Sequence, residues 1–398
     1  MAKTTKYRTY IWEDPKWPSL DMSLKSLATT LSMARRVQGE LLGMAKTIGG
    51  LPQMEAAVSA MAHEVVSNSA IEGVDLSLES VRASMMLRLG VAYGGHLPSG
   101  TRRVDPIVGV LAEAVQGWKE PLDLERLFRW HSAIFPGGFS PQLGPIRTGE
   151  LRGDAPMVVA TPSKTHDLPD IIHFEAPGRG RLETEMEAFL SWFNNPPPGL
   201  DGLIRAGIAH LWFITIHPLE DGNGRIARTI TDLALAQDEQ SGLRFFSLST
   251  QILRNKDGYY DALEFAQRGS LDITPWLQWF LDQVQRSAQH GIDEVHRVLA
   301  RNRFWVKADS LHLNDRQMAG LHRALSPFNT EEILSNRFYR KITNTNRTTA
   351  ARDLAELVEL GLLEAFGAGR SASYKVPLDR FRPESVQGLV NELGARPS

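Results

Sequence analysis

The chain has 398 residues, enough for two or three domains with buried cores, and its 42% hydrophobic content excludes collagen-like, low-complexity and wholly disordered proteins. Its 44 lysines and arginines nearly balance 46 aspartates and glutamates, so a nucleic-acid or membrane site could only be local. Cysteine is absent and no signal peptide or membrane span is recognisable, so we expect a cytoplasmic protein without disulfides or membrane contacts.

The first hundred residues predict an N-terminal helical region. Aromatic residues and prolines over 10–18 favour an extended segment packed on a neighbouring element. Apolar residues spaced by three and four then predict three amphipathic helices, over 21–49, 54–71 and 77–89. The glycine-rich string GVAYGGHLPSG, residues 90–100, follows them and indicates a domain boundary at its end.

Residues 101–285 predict a second domain that is helical except for one interruption. Two short apolar runs, over 157–160 and 171–174, lie among prolines and glycines and indicate a small β-hairpin. Residues 203–216 are apolar nearly all round, which is typical of a buried central helix. Because Pro218 disfavours the helical conformation of the residue before it, this helix should end there.

The remaining residues predict a helical connector over 286–305, a third domain over 306–380 and a C-terminal tail over 381–398. The third domain contains three helical patterns followed by the string LLEAFGAGRSASYKV, which indicates a two-stranded wing turning at 367–369. Three helices followed by a hairpin is the order of a winged helix-turn-helix domain. The helical patterns cover residues 313–325, 330–342 and 345–360.

A row of basic residues in the second and third of these patterns has no acidic residue between its members. Such a row is either a solvated helix face or a stripe that contacts DNA phosphates, and the sequence leaves both interpretations open. The candidate DNA-binding residues are Arg337, Arg340, Lys341, Arg347 and Arg352.

The string HPLEDGNGRIAR, residues 217–228, has the composition of a phosphate site. Its GNG triplet, residues 222–224, allows tight or left-handed backbone geometry, so successive N–H groups can converge on an anion at a helix N-terminus. Arg225 and Arg228 lie one helical turn apart and could add charge-assisted contacts to the same polyphosphate.

Two further residues of this string have side chains that could take part in a reaction. Asp221 is a hard oxygen ligand suited to a magnesium ion that bridges phosphates. His217 stands at a helix end, where an imidazole can accept a proton from an attacking hydroxyl near neutral pH. A base, a metal ligand, an anion nest and two arginines within one short string predict a catalytic site.

The string resembles the signature of the Fic family, HxFx(D/E)GNGRxxR, with Leu219 where the family usually has Phe. Similarity to family segments extends over roughly residues 7–285. The resemblance implies an all-α Fic fold core with a small β-hairpin flap, beside the C-terminal winged helix-turn-helix domain. It also implies a protein adenylyltransferase, which transfers AMP from ATP to a Ser, Thr or Tyr hydroxyl of a target protein with Mg²⁺ as cofactor.

Carried over position by position, the resemblance implies a role for each residue of the site. His217 would be the general base and Asp221 the magnesium ligand. The backbone of residues 222–224 would form the anion hole, and Arg225 and Arg228 would clamp phosphates. The resemblance also implies nucleotide-binding residues in the flap and in a downstream segment: Val159, Ala160, Tyr259, Tyr260 and Gln267. The two tyrosines would border the adenine.

The string SNSAIEG is similar to the motif (S/T)xxxE(G/N) of family members that carry an N-terminal inhibitory helix. It places Glu72 and Gly73 as the motif requires, with Asn68 at the Ser/Thr position. The resemblance implies that Glu72 pairs with Arg228, fills the γ-phosphate space and keeps the α-phosphate of ATP out of line for attack.

Two alternatives stay open at this point. The chain could be a DNA-binding regulator whose Fic core senses a nucleotide, although it retains His217 and Asp221 and a sensor needs no base. It could also be a hydrolase that removes AMP from a modified protein, with Glu72 orienting water. Self-modification and a homodimer are further expectations, and a target segment would join the flap by strand addition.

Overall fold

The computed structural model describes five parts of the chain and is mostly helical, with small antiparallel strand pairs. The glycine-rich boundary over 92–100, the wing turn at 368–369 and the tail over 383–398 lie outside these parts. No helix within them is long and apolar enough to cross a membrane. The described residues are 10–91, 101–161, 171–325, 333–367 and 373–382.

The three helices predicted in the N-terminal region are confirmed, with shifts of a few residues at their ends. Before them, a short 3₁₀ turn over Ile11–Glu13 replaces part of the predicted extended segment, because the Glu13 carboxylate accepts the Tyr10 N–H at 2.8 Å. The helices are α1 Leu24–Ile48, α2 Gly50–Ile71, α3 Leu78–Arg88, α4 Thr101–Gln116, α5 Leu124–Ile134, α6 Leu182–Asn194, α7 Gly202–Ile216, α8 Asn223–Glu239, α9 Leu248–Arg254, α10 Lys256–Gln267, α11 Thr274–Asp309, α12 Asp315–Ala324, α13 Asn336–Thr343 and α14 Arg347–Glu359.

The strands of the described residues form three small antiparallel sheets. Each strand has only two to five residues, so the sheets add to a helical framework and do not form a core of their own. The strands are β1 Phe139–Ser140, β2 Gly144–Pro145, β3 Val158–Thr161, β4 Ile171–Glu175, β5 Ile333–Ser335, β6 Glu364–Phe366 and β7 Ser373–Lys375.

The chain divides into two compact units. The first contains residues 1–42 and 57–291, and the second contains residues 43–56 and 292–398. The predicted connector over 286–305 lies inside α11, which is one uninterrupted helix.

The most closely packed helix pair of the first unit is α7 with α8. Helix α7 is buried from Leu203 onward, as its apolar sequence predicts, and Asp201 caps its start by accepting the N–H groups of Leu203 and Ile204. The helix ends at His217, whose backbone is left-handed with φ 51°, and α8 follows Gly222 with φ 81°. The loop that contains the phosphate motif is therefore held between two buried helices.

The predicted hairpin in the first unit is confirmed as the pair β3 and β4, which we call the flap. Val159 lies opposite Phe174 and Ala160 opposite Ile172, with a β-bulge between Val159 and Ala160. Phe174 is buried, whereas Val159 on the other strand is exposed. The flap is thus anchored on one side and open on the other.

The second unit has helices and a three-stranded sheet with its own core. The strand order is β5-β7-β6, and both neighbouring pairs are antiparallel. The Tyr339 hydroxyl donates to the carboxylate of Asp353 at 3.2 Å, and the same carboxylate accepts from the Arg316 guanidinium at 2.8 Å. Fully buried residues of this core include Phe304, Leu321, Leu334, Tyr339, Leu354 and Leu357.

The helix predicted over 330–342 is wrong in its first part, because β5 precedes α13 there. Leu334 is buried and pairs with Tyr374 of β7. Ser335 then accepts the N–H of Phe338 at 3.1 Å and so caps the start of α13. Pairing with a distant strand outweighs the local helical pattern, and the predicted two-stranded wing becomes part of a three-stranded sheet.

Candidate active site

A cleft of about 580 Å³ opens in the first unit where the α7–α8 loop meets the flap, α10 and the end of α2. Its volume and mixed polar and apolar lining are those of a small-molecule site. All but one of the predicted catalytic, nucleotide-binding and inhibitory residues line this cleft, although the positions span almost two hundred residues of chain. Those residues are Glu72, Val159, Ala160, His217, Asp221, Gly222, Asn223, Gly224, Arg228, Tyr259, Tyr260 and Gln267.

His217 lines the cleft from the end of α7. Its Nδ1 lies 3.0 Å from the carbonyl oxygen of Ile214. A carbonyl can only accept, so Nδ1 carries the hydrogen and Nε2 keeps a free lone pair. The pKa of His217 is lowered to about 4, mainly by burial and also by the charge of Arg152, although the hydrogen bond to Ile214 and the charges of Glu72 and Asp221 partly oppose this. The imidazole is therefore neutral near pH 7 and able to accept a proton.

The backbone at His217 is held by Arg152, which the sequence analysis did not single out. Arg152 Nε donates to the His217 carbonyl at 2.9 Å, and the Arg152 N–H donates to the Pro218 carbonyl at 2.9 Å. Nothing in the local string GELRG around Arg152 indicates a contact with a residue 65 positions away.

The anion nest lies at the start of α8. A Cβ built on Gly222 would come within 2.7 Å of the Phe135 ring, so this position requires glycine for both its space and its left-handed backbone. The Asn223 side chain closes the loop by bonding both the N–H and the carbonyl of Leu219, at 3.0 and 2.8 Å. Leu219 is buried, in keeping with an apolar anchor at the departure from the family signature. No side chain of the described residues caps α8, so its first N–H groups can face an anion.

The Asp221 carboxylate is held in a fixed orientation at the cleft. Its Oδ2 accepts from the Ser140 hydroxyl at 2.5 Å, and its Oδ1 accepts the Gly222 N–H at 2.5 Å. The described residues contain no group of three or more His, Cys, Asp or Glu side chains that could hold a metal. Since Mg²⁺ is commonly held by one or two carboxylates together with phosphates and water, the single oriented carboxylate of Asp221 fits this ion.

The two arginines of the motif lie in different places. The Arg225 guanidinium is buried over the Phe135 ring at 4.3 Å, with its NH2 4.0 Å from Asp221 Oδ2, and it does not line the cleft. Arg228 does line it, although its side chain is almost fully buried. The side chain of Asn68 supports Arg228, because its Oδ1 accepts from Arg228 Nε at 2.7 Å.

The Glu72 carboxylate lies over the start of α8. Its Oε1 accepts from Arg228 NH2 at 2.6 Å, and a Cβ built on Gly224 would come within 2.3 Å of the same oxygen. Burial favours the neutral acid, but the charge and hydrogen bond of Arg228 outweigh this and hold the pKa of Glu72 below its usual value. Glu72 is therefore ionised near pH 7 and occupies space next to the anion nest.

Two residues absent from the sequence analysis hold the last turn of α2 in this position. Gln142 Nε2 donates to the Glu72 carbonyl at 2.9 Å, and Lys256 Nζ donates to the Ile71 carbonyl at 2.5 Å. The last carbonyls of a helix have no partner within the helix, so these side chains satisfy them from other elements.

The two tyrosines of α10 differ in exposure. Tyr259 is buried and its hydroxyl lies 2.9 Å from His210 Nε2, where burial lowers the pKa of His210 to about 3. Tyr260 is 41% exposed and presents its ring to the cleft mouth. Gln267 donates to the Thr215 hydroxyl at 3.2 Å. Tyr260 is thus the ring available for stacking, and Tyr259 is part of the wall behind it.

A cleft at an uncapped helix start is the kind of site that binds anions. The Fic/DOC family model matches residues 121–235, which include the α7–α8 loop, so this segment is similar to the domains of that family. A second model, described as a domain of unknown function (DUF4172), matches residues 10–91, which include Asn68 and Glu72.

The chain is also similar to curated proteins and solved structures. The protein adenylyltransferase Fic of Aedes aegypti is 32% identical over 112 residues, which are 28% of this chain and 21% of that protein. The protein adenylyltransferase Fic of Nematostella vectensis is 24% identical over 249 residues, 62% of this chain and 51% of that protein. The chain thus spans between a fifth and a half of these relatives.

A Fic family protein from Desulfovibrio desulfuricans G20 gives the structural comparison. Its crystal structure aligns with a TM-score of 0.50 at 19% identity, covering 88% of this chain and 95% of the other. At that identity the likeness concerns the fold alone, and it supports a mostly helical Fic fold.

Proposed function

We propose that this chain is a protein adenylyltransferase that transfers AMP from ATP to a Ser, Thr or Tyr hydroxyl of a target protein. The observation that carries this proposal is the meeting, in one cleft, of a neutral His217 with a free Nε2, the oriented carboxylate of Asp221 and the nest at residues 222–224. These groups suit a base, a magnesium ligand and a polyphosphate cradle.

In the proposed reaction His217 Nε2 takes the proton of the target hydroxyl. The hydroxyl oxygen attacks the α-phosphorus, the bond from that phosphorus to the bridging oxygen breaks, and pyrophosphate leaves with the electron pair. Asp221 would hold Mg²⁺, which supplies charge neutralisation to the phosphates when bound. The N–H groups at the start of α8 would bind phosphate oxygens, and Tyr260 would border the adenine. Positioning and electrostatics would supply most of the rate acceleration.

We also propose that Glu72 inhibits this reaction. Its carboxylate occupies Arg228 and lies beside Gly224, so a γ-phosphate directed to the same arginine would meet a negative charge. ATP could then bind only with its α-phosphate turned away from the attacking oxygen.

For the second unit we propose a winged helix-turn-helix domain that binds DNA. Its element order of helix, strand, helix, helix, strand and strand supports this reading. All five predicted basic residues are exposed, and none of them is in an ion pair within the described part of the unit. Unpaired cations on α13 and α14 are free to contact phosphates.

Labelled ATP tests the catalytic proposal. The protein is incubated with host lysate, Mg²⁺ and ATP labelled in either the α- or the γ-phosphate, and His217→Ala serves as the matched control. We expect protein labelling from α-labelled ATP only, and a loss of about 10²-fold or more in His217→Ala, because the base acts on the hydroxyl and not on ATP. ATP affinity measured by calorimetry should survive this change. Labelling from the γ-phosphate, or full activity without His217, would contradict adenylyl transfer, and loss of AMP from a pre-modified protein would favour the hydrolase.

A further inference from the structure

Arg152 is one of the largest fully buried side chains of the protein, at 2% exposure. Its guanidinium donates to two backbone carbonyls, that of His217 at 2.9 Å through Nε and that of Pro177 through NH2. Pro177 directly follows the flap, two residues after the end of β4. One side chain thus joins the base of the flap to the end of the helix that carries His217.

The surroundings of Arg152 are unusual for a buried cation. Its hydrogen-bond acceptors in the described parts of the chain are carbonyls, and no carboxylate there forms an ion pair with it. Burial, with the nearby charge of Arg179, lowers the pKa of Arg152. A buried charge without a counter-ion is costly for stability, so a contribution to function would account for its presence better than packing alone.

The contact meets a specific need of the His217 backbone. The residue adopts φ 51° and ψ 57°, a left-handed conformation that non-glycine residues rarely adopt and that surrounding contacts must maintain. Its carbonyl ends a helix and has no partner within the helix ladder, and Arg152 supplies one. With this turn fixed, the bond from Nδ1 to Ile214 leaves Nε2 directed at the cleft.

We propose that Arg152 is a positioning residue for adenylyl transfer, which holds the His217–Pro218 turn so that the imidazole meets the attacking hydroxyl, and which couples this turn to the flap. The inference rests on the proposed function. Arg152 touches neither ATP nor target in this role, so its loss should lower kcat and leave the KM for ATP nearly unchanged.

The test compares Arg152→Met and Arg152→Lys with a matched control, Arg205→Met. Arg205 is also a buried arginine of the first unit, bonded to the Phe193 carbonyl at 2.8 Å and to Gln237 at 2.7 Å, and burial lowers its pKa to about 10. We expect Arg152→Met to lower kcat by about 10²-fold with the KM for ATP within about twofold, and Arg152→Lys to restore part of the loss. Arg205→Met should lower the melting temperature without this fall in kcat.

Two results would overturn the inference. One is a kcat of Arg152→Met within about threefold of wild type once the folded fraction is counted. The other is an equal fall in kcat for Arg205→Met at equal stability, which would show a general effect of losing a buried arginine. If Arg152→Met does not fold, Arg152→Lys is used instead. A lower kcat with an unchanged KM for ATP supports the inference, and an unchanged kcat overturns it.

The tautomer of His217 can be measured without AMP transfer, so it tests this inference separately from the proposed function. In protein labelled with ¹⁵N-histidine, the His217 imidazole, assigned by difference from His217→Asn, should carry its hydrogen on Nδ1 in the wild type. Arg152→Met should mix the two tautomers, because the released turn no longer holds Nδ1 at Ile214. An unchanged tautomer in Arg152→Met would overturn the inference. Absence of AMP transfer by Glu72→Gly, in which the proposed inhibition is released, together with the expected tautomer change would overturn the proposed function alone.

Discussion

At the scale of single residues, the chemistry of His217 depends on neighbours both near and far in the chain. Ile214, three residues away, fixes which ring nitrogen carries the hydrogen, whereas Arg152, 65 residues away, fixes the backbone. Burial and the charge of Arg152 favour the neutral imidazole, although Asp221 and Glu72 are close enough to favour the charged one. The imidazole is thus neutral near pH 7, the form that the proposed base requires.

The pH dependence of the rate should report this environment. Since the pKa of His217 is lowered from 6.5 to about 4, the active neutral form is present above that value and is lost as the pH falls through it. We expect kcat/KM for ATP at pH 5.5 to lie within about twofold of its value at pH 7.5, and an acid limb centred near 6.5 would contradict the assignment.

Stability has to be followed in the same experiment. His217 and His210 both have a pKa below that of an unfolded histidine, so the unfolded chain binds more protons between about pH 6.5 and pH 4. Stability from these groups is therefore present above pH 6.5 and is lost as the pH falls. Circular dichroism at each pH gives the folded fraction by which the rate is corrected.

The site residues that local spacing alone could predict are those that lie together in one string, whereas Glu72, the flap residues and the residues of α10 were predicted only through the family resemblance. His217, Asp221 and the glycines of the nest are contiguous, so their spacing alone indicated a phosphate site. Arg152, Ser140 and Gln142 reach the site from other segments, and nothing in their local sequence distinguishes them from surface polar residues. Spacing can also mislead. It predicted that Arg225 and Arg228 contact the same polyphosphate, but the Arg225 guanidinium packs on the Phe135 ring and does not line the cleft.

At the scale of elements, the end of α2 is fixed by contacts from three other segments. Arg228 of α8 binds the Glu72 side chain, and Gln142 and Lys256 bind the carbonyls of the last turn. Asn68, one turn earlier on α2, binds Arg228 a second time. The helix and the arginine thus hold one another, and removal of Glu72 alone leaves the other contacts in place.

Replacing Glu72 should therefore release the proposed inhibition without unfolding the helix. We expect Glu72→Gly to raise AMP labelling of targets and of the protein itself by about tenfold or more, because Arg228 becomes free to bind the γ-phosphate. The measurement is the initial rate with α-labelled ATP at saturating concentration. Glu79→Gly, on the exposed face of α3, is the matched control and should leave the rate unchanged.

The double variant Glu72→Gly with His217→Ala should show no AMP labelling. This result would show that the higher rate of Glu72→Gly depends on His217. Equal initial rates for wild type and Glu72→Gly, with both proteins folded, would show that the end of α2 is structural only.

Long periodic helices were predictable and short paired strands were not. Helix α7 carries its signal in its own apolar sequence, and α3 ends within a residue of its predicted limit. The β5 strand has three residues and exists because Leu334 pairs with Tyr374, forty residues away in the chain. A strand of this kind depends on its partner, and a local pattern of apolar residues cannot distinguish it from the start of a helix.

At the scale of the whole molecule, acidic and basic residues nearly balance, but this balance does not hold in every segment of the chain. The net charge is −2, yet α13 and α14 of the second unit expose five basic residues with no acidic residue between them in sequence. Of the acids on α14, Asp353 is buried and pairs with Arg316, whereas Glu356 and Glu359, toward the end of the helix, are exposed. The five exposed cations therefore lie close together in sequence, from α13 to the first half of α14.

If this stripe binds DNA, the affinity should depend steeply on salt, because each phosphate contact releases a condensed counter-ion. We expect binding of duplex DNA, measured by fluorescence anisotropy, to weaken by orders of magnitude between about 50 and about 200 mM salt. Arg347→Ala, at the start of α14, should weaken binding to all sequences alike and reduce the salt slope by about 1, since it removes one phosphate contact. Arg36→Ala on the exposed face of α1 removes the same charge from the first unit and should change neither quantity. A salt-independent signal, or no binding at low salt, would leave the basic residues as a solvated helix face.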